Sequence, residues 1–251
     1  MSLSNDELHR YSTQGFILKR GIIAPERATL LGQEIENLHE SMARSTPADV
    51  HASWEEGIPA DHPKRIRQLM NSEKVSPVLD AISKSDGVLS IMRQLIGPDV
   101  YLYHSKLMMK AARDGTFTPW HQDWGYWRHA MREPSQVNCM LAIDPNIAAN
   151  GALRFVEGSH KRGPIDHKEF ASASFNIGLD GDINQYDSVM VEMQPGDAVF
   201  FGPLVIHGSA ANTSDMDRRA NTFAFDKPAN HLRPEHALPS ENWRCGMRTN
   251  G

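Results

Sequence analysis

Near residue 100 the hydrophobic pattern of this chain changes period, from about 3.6 residues to two, and nothing else restricts the fold as strongly. Upstream, Pro25 suits a first helical position, and Ala28, Leu31, Ile35, Leu38 and Met42 recur at helical spacing. A polar, Trp-containing stretch from Thr46 to Pro63 reads as loop. Ser76-Pro77 opens a second helix, with a break at Asp86-Gly87. Val88, Leu89, Met92, Leu95 and Ile96 carry its apolar face onward, and Gly97-Pro98 closes it.

Downstream, the residues from Val100 to Lys110 alternate. Tyr103, Leu107 and Met109 fall on one face; His104, Lys106, Met108 and Lys110 fall on the other. Further strands are expected over Val137 to Ile143, Ala152 to Val156 (after the Asn150-Gly151 turn), Ser188 to Met193, Ala198 to Phe201, Leu204 to Ala210 and Arg219 to Phe225. Gln194-Pro-Gly-Asp197 is a tight-turn sequence. Many short strands with Gly/Pro turns mean a sandwich or a closed barrel, and a jelly roll is the closed double-sheet solution. The fold class is therefore α+β with a β core. With no internal repeat or low-complexity linker, residues 1–251 are expected to form one domain: 1–99 mainly helical, 100–228 the β core, 229–251 a C-terminal tail.

The net charge of −5 offers no basic footprint for nucleic acid or an anionic membrane surface. No apolar run approaches the roughly 20 residues a membrane helix needs. The polar, acid-containing start does not resemble a secretory or organellar leader. Cys139 and Cys245 suggest neither zinc nor a disulfide framework, so a reducing cytoplasm is the expected location. Twelve histidines invite a search for metal ligands.

Trp120-His121-Gln122-Asp123 sets an imidazole and a carboxylate two residues apart. In an extended segment both side chains project from one face and can reach one ion. Alone the triplet is weak, because so many histidines make a chance occurrence ordinary. His207, with apolar neighbours in Leu204-Val-Ile-His-Gly208, is the best third ligand. Two imidazoles and one carboxylate on one face of an octahedral ion leave three positions open, which suits iron(II) with a chelating co-substrate and dioxygen. Arg218 follows eleven residues after His207 (207 + 11 = 218). Its planar fork can take a carboxylate in two parallel hydrogen bonds. Arg218, Ala220, Thr222 and Ala224 share a face that leaves room for a ligand, whereas Arg219, Asn221, Phe223 and Phe225 would fill a packed layer. Arg218 is therefore the expected anion-binding arginine; the competing reading leaves both solvated at a strand end.

His121-Gln-Asp123, the segment from Asn150-Gly-Ala-Leu to Glu157-Gly-Ser-His160, Pro195-Gly-Asp197, and His207-Gly-Ser209 with Arg218 together resemble the phytanoyl-CoA dioxygenase family of iron(II)- and 2-oxoglutarate-dependent oxygenases, ectoine hydroxylase among them. Gly15-Phe-Ile-Leu and the helix behind it extend the likeness over roughly residues 8 to 228. The resemblance implies a double-stranded β-helix (a cupin-like jelly roll) with flanking N-terminal helices. It implies Fe(II) held by His121, Asp123 and His207, and 2-oxoglutarate whose distal carboxylate pairs with Arg218 and receives the Ser209 hydroxyl. It also implies O2 as the other co-substrate, with oxidative decarboxylation to succinate and CO2 coupled to hydroxylation of an unactivated C–H bond. Asp123 fills the position that related halogenases leave to chloride, so hydroxylation is favoured; desaturation and ring formation stay open. Where family members place a polar or amide side chain before the iron motif, this chain has Lys106 and Met108, and either is a candidate to touch 2-oxoglutarate.

For the substrate, a small molecule, the candidates are His104, Lys106, Trp124, Tyr126, Trp127 and Arg128. The three aromatics form a loop wall or lid, with Gly125 allowing movement, or pack on the sheet. Arg128, Arg132, His129 and Lys106 would suit an anionic or zwitterionic substrate. His104 and Lys106 face the substrate, or else the solvent if their strand is a sheet edge. Trp54 and Arg65 to Gln68 are candidates to border the pocket. Ser159-His-Lys-Arg162 reads as a solvated loop, and His62, His167, His231 and His236 as bystanders. Two rival classes remain: a keto-acid-independent, cupin-like isomerase or dioxygenase, which needs no carboxylate clamp, and a non-catalytic binding protein, which need not keep three ligands.

Overall fold

The computed structural model describes residues 1–45, 50–55, 57, 65–169, 177–179, 184–232 and 244–245. Among the described residues five helices come before the long strand: α1 (Asn5–Gln14), α2 (Pro25–Arg44), α3 (Ser72–Val75), α4 (Pro77–Ser83) and α5 (Asp86–Leu95). Ser4 closes a capping box on α1, and Gly15 ends that helix in the left-handed region at φ 91°. Pro25 opens α2, whose buried face includes Ala28, Leu31, Ile35 and Met42. The Ser76 hydroxyl accepts from the Leu79 N–H, capping α4. The break before α5 lies at Lys84–Ser85, not at Asp86-Gly87: Asp86 is the first helical residue, where its charge favours the helix dipole.

The first third is less purely helical than its periodicity suggests. It also contains β1 (Phe16–Lys19), β2 (Ala52–Trp54) and β3 (Ile66–Met70). These strands are too short for a period to show, and β2 falls inside the stretch read as loop. They complete a sheet built on β4 (Val100–Lys110), β6 (Val137–Ala142), β11 (Ala198–Phe201) and β13 (Arg218–Asp226), in the order β1-β11-β6-β13-β4-β3-β2. The backbone of β14 (Arg244–Cys245) also pairs with β4. Facing it is a four-stranded sheet, β10-β7-β12-β5, from β5 (Thr118–His121), β7 (Leu153–Phe155), β10 (Val189–Val191) and β12 (His207–Ser209). A short pair, β8 (Lys168–Glu169) with β9 (Ile177–Gly178), flanks it. Two antiparallel sheets face to face behind an N-terminal helical layer make an α+β jelly roll.

The outer face of the large sheet packs on the helices through Leu107, Met109, Leu141, Phe200, Phe223 and Phe225. The inner face closes on the small sheet through residues such as Met140, Phe155, Phe201 and Ala220. One register shift alters the expected alternation on β4. Ala224 pairs with His104 but Phe225 pairs with Leu102, so Tyr103 is the extra residue of a bulge. Tyr103 accordingly leaves the face of Leu107 and Met109 and joins Trp127, Met131 and Ala224 inside. β4 itself runs between β13 and β3, so His104 and Lys106 do not lie on an edge strand. Among the described residues no helix is long and apolar enough to cross a membrane.

Candidate active site

His121 ends β5 and His207 begins β12, and the two are direct partners across that strand pair. Their ring centroids lie 4.2 Å apart. Asp123 completes the group, with its Oδ1 3.6 Å from His121 Nε2 and its Oδ2 3.7 Å from His207 Nε2. The expectation that His121 and Asp123 share one extended face does not hold. Asp123 has φ −58° and ψ −27° and starts a short helix, α6 (Trp124–Trp127). The turn after β5, not strand alternation, brings its carboxylate back to the imidazole.

The donor set fits a divalent cation. His121 Nδ1 lies 2.9 Å from the Pro119 carbonyl and His207 Nδ1 3.0 Å from that of Val205. A carbonyl can only accept, so both Nδ1 atoms carry the proton and both Nε2 lone pairs face the carboxylate. The three ligand atoms lie within 4.8 Å of one another. Burial, then the neighbouring His121, pushes His207 down to about 3, which keeps it neutral as a metal ligand must be. Burial alone would raise the Asp123 carboxyl, but His207, His121 and Lys106 outweigh it and hold the group well below the ordinary carboxylate range. The rings of Phe155 and Phe201 lie against His207, at 5.8 and 4.9 Å between centroids.

Three residues that sequence reasoning missed hold this turn. Asn138, on β6 and 1% exposed, donates its Nδ2 to Asp123 Oδ2 at 2.7 Å. The buried Gln122 side chain donates to the Gly163 and Leu204 carbonyls and accepts from the Ile165 N–H. His167, read as a bystander, accepts the Gln122 N–H on Nε2 at 2.9 Å, while its Nδ1 donates to the Ile165 carbonyl. An amide amid the apolar run of β6 was a visible signal for Asn138. His167 gave none, because its partner is a backbone group from another segment.

A cavity runs from the triad to Arg218. Lys106, Met108, Ser209 and Arg218 line it, as do Thr222, on the face expected to leave room for a ligand, and Thr118 and Asn138, which were not foreseen. Arg218 is 2% exposed, and burial pushes it down to about 10. Its contacts are long, 3.3 Å to the Gly151 carbonyl and 3.5 Å to Asn146 Oδ1, and its Nε is buried without a partner. Gly151 sits at φ 76°, where a Cβ would meet the Ala210 carbonyl at 2.3 Å. Lys110, also buried, donates to the Thr116 and Ala210 carbonyls and is pushed well down by burial and by the charges of Arg218 and Arg67. This end of the cavity thus holds buried cations and a free donor but too little negative charge, which fits a carboxylate.

At the other end, Trp127 is buried against Tyr103 and His104, with ring centroids at 5.9 and 5.6 Å. Tyr126 sets its ring edge 5.9 Å from His121 and donates its hydroxyl to the Ile177 carbonyl. Trp124 is partly buried in the same cluster. The segment is a helical turn packed in place, not a mobile loop. Gly125 is there for close approach, since a Cβ would lie 2.9 Å from the His167 ring. Arg128, His129 and Arg132 are exposed and lie outside the cavity lining, with Arg128 3.7 Å from Asp166. Trp124, Tyr126 and Trp127 likewise lie outside the residues that line this cavity.

Trp54 packs on the helical core, and Arg67 lies 3.8 Å from Glu55, so neither borders the cavity. Ser159-His-Lys-Arg162 forms a 3-10 turn whose Lys161 and Arg162 are exposed as expected, while its buried Ser159 Oγ accepts the Ile206 N–H, next to His207. His62 and His236 lie outside the described residues.

The profile of the phytanoyl-CoA dioxygenase (PhyH) family matches residues 11–220. The ectoine dioxygenase of Bordetella parapertussis is 27% identical over 249 residues, covering 93% of this chain and 78% of its own. The L-proline trans-4-hydroxylase of Streptomyces griseoviridis is 28% identical over 67% of this chain and 72% of its own. Among solved structures, EctD of S. alaskensis with 2-oxoglutarate and 5-hydroxyectoine superposes with a TM-score of 0.74 at 19% identity, over 91% of this chain and 77% of that one. The similarity to EctD speaks to the fold.

Proposed function

The chain belongs to the phytanoyl-CoA dioxygenase family, and on that premise we infer an Fe(II)- and 2-oxoglutarate-dependent dioxygenase that hydroxylates a small, polar metabolite and releases succinate and CO2. The observation that carries this reading is one cavity with a His-Asp-His donor set at one end and a buried arginine with an unpartnered Nε at the other. We assign iron to His121, Asp123 and His207, and the distal carboxylate of 2-oxoglutarate to Arg218 and Ser209. A keto-acid-independent enzyme would have no use for that clamp.

When bound, iron and the keto acid supply an oxidant able to take hydrogen from an unactivated C–H bond. The protein's own part is preorganisation. The Nδ1–H bonds to Pro119 and Val205 lock both imidazoles in one tautomer, and Asn138 fixes the carboxylate. The rings of Phe155 and Phe201 keep water from His207. Asp123 occupies the place a halide would need, which favours hydroxylation over halogenation. Met108 and Lys106 form the wall between the two ends. The relatives named for ectoine and proline support a small metabolite as substrate. We further propose a single domain in a reducing cytoplasm, with no nucleic-acid partner.

Anaerobic reconstitution with Fe(II), followed by succinate release from 2-oxoglutarate in air, tests the reading. Slow turnover without substrate is expected, abolished in His121→Ala. Iron or 2-oxoglutarate at about 100 times its Kd should stabilise the fold by about 2.7 kcal/mol. No rise in melting temperature with either would sink the proposal.

A further inference from the structure

Among the described residues that line the cavity, one cation has no counterpart left to it, and it points to the substrate. Arg67 lies 3.8 Å from Glu55. On the assignment above, Arg218 and the neighbouring Lys110 face the distal carboxylate of the keto acid, while Asp123 and the other keto-acid carboxylate offset the metal. That leaves Lys106. It lines the cavity from β4, and among the described residues it forms no hydrogen bond or ion pair. Burial lowers it, and the only opposing charge it feels is Asp123, which the metal would claim. Lys106 is half-buried, so its ammonium opens on the cavity with no counter-charge from the described residues beyond Asp123.

A second orphan stands beside it. His104 precedes Lys106 by two residues, so both point to the interior. It is 7% exposed, and its Nε2 is buried with no hydrogen-bond partner. Trp127 closes its far side at 5.6 Å between centroids. Two successive inner-face side chains of one strand therefore lack polar partners among the described residues, Lys106 in the cavity lining and His104 beside Trp127. Positions i and i+2 on a strand are about 7 Å apart.

We propose that the substrate is a small organic acid, with its carboxylate on Lys106 Nζ and a second, uncharged hydrogen-bonding group at His104 Nε2. The inference rests on the dioxygenase reading. The about 7 Å spacing fits a body of four to six bonded atoms lying against Trp127. The exposed Arg128, Arg132 and His129 take no part.

The test uses the Fe(II)- and 2-oxoglutarate-loaded enzyme and a panel of amino and hydroxy acids of four to eight carbons, each paired with its primary amide. The expected result is that one or more acids accelerate succinate release while the matching amides do not. In Lys106→Met the KM of that acid should rise about 100-fold. The Kd of 2-oxoglutarate, read by anaerobic calorimetry, should move less than threefold. Lys106→Arg should recover part of the loss, and His104→Leu should raise KM about tenfold without altering metal binding. An amide as active as its acid overturns the proposal, as does a panel in which no acid responds. So does an equal loss of 2-oxoglutarate affinity in Lys106→Met, which would hand this lysine to the keto acid. Failure of the loaded enzyme to bind 2-oxoglutarate at all would strike instead at the dioxygenase reading.

Discussion

Arg218 and Arg219 are consecutive residues of β13, yet the protein treats them as opposites. Arg219 points to the outer face and is saturated. It meets Asp144 through Nε at 2.7 Å and Nη2 at 2.8 Å, the Gly32 carbonyl at 2.7 Å and Glu36 at 2.9 Å, tying β13 to α2. Arg218 points inward, is more deeply buried, and keeps an unpartnered Nε. One guanidinium is spent on the fold, and the other is held ready for an anion. The difference teaches that an unsatisfied buried donor is a better sign of function than burial or charge alone.

The largest expected effect breaks the comparison from the inside. Arg218→Ala should weaken 2-oxoglutarate binding by at least about 100-fold, as loss of a buried charge partner does. Its melting temperature without ligand should hold or rise, because an uncompensated buried cation is removed. Calorimetry and thermal melts read both. From the outside, Arg219→Ala should leave Asp144 unpaired and cost about 2–3 kcal/mol. That is roughly 5–10 °C in melting temperature for a chain of this size. Its 2-oxoglutarate Kd should change little, and a loss as large as that of Arg218→Ala would exchange the two roles.

Asn138→Ala sharpens the inner-face account. Removing the donor that fixes Asp123 should weaken Fe(II) binding about tenfold while the fold persists. An unchanged metal affinity would show that Asp123 is positioned without it. The smallest effect concerns His104, which burial pushes down to about 3. Its folded value lies below its unfolded one, so between about 6.5 and 3 the unfolded chain binds a proton that the folded protein refuses. Stability of the metal-free protein should therefore fall as pH drops through that window, and His104→Phe should flatten part of the slope. A wild-type melting temperature constant from pH 7 to 4 would contradict this.

Strand alternation was enough to separate Arg218 from Arg219, and to set Lys106 and Met108 on the face that lines the cavity. It failed for Tyr103, because a bulge breaks the period with no change in residue type. It failed for Asp123 as well, because the chain leaves the strand after His121. The short strands β1, β2 and β3 escaped notice since three to five residues carry too little pattern, and β1 and β3 take their places by pairing with β11 and β4 farther along the chain. His167 was invisible for a related reason. Its role depends on a backbone N–H forty-five residues away.

By itself the sequence determined the change from helices to an antiparallel β core, the three metal-ligand candidates and the face of Arg218. Periodicity and residue chemistry are local and survive in a string of letters. Only the tertiary structure decided which polar atoms have partners. Satisfaction of a hydrogen bond is a property of distances between segments remote in sequence. That is why it could single out Asn138 as a support of Asp123, and His104 as a buried group still waiting for a partner among the described residues.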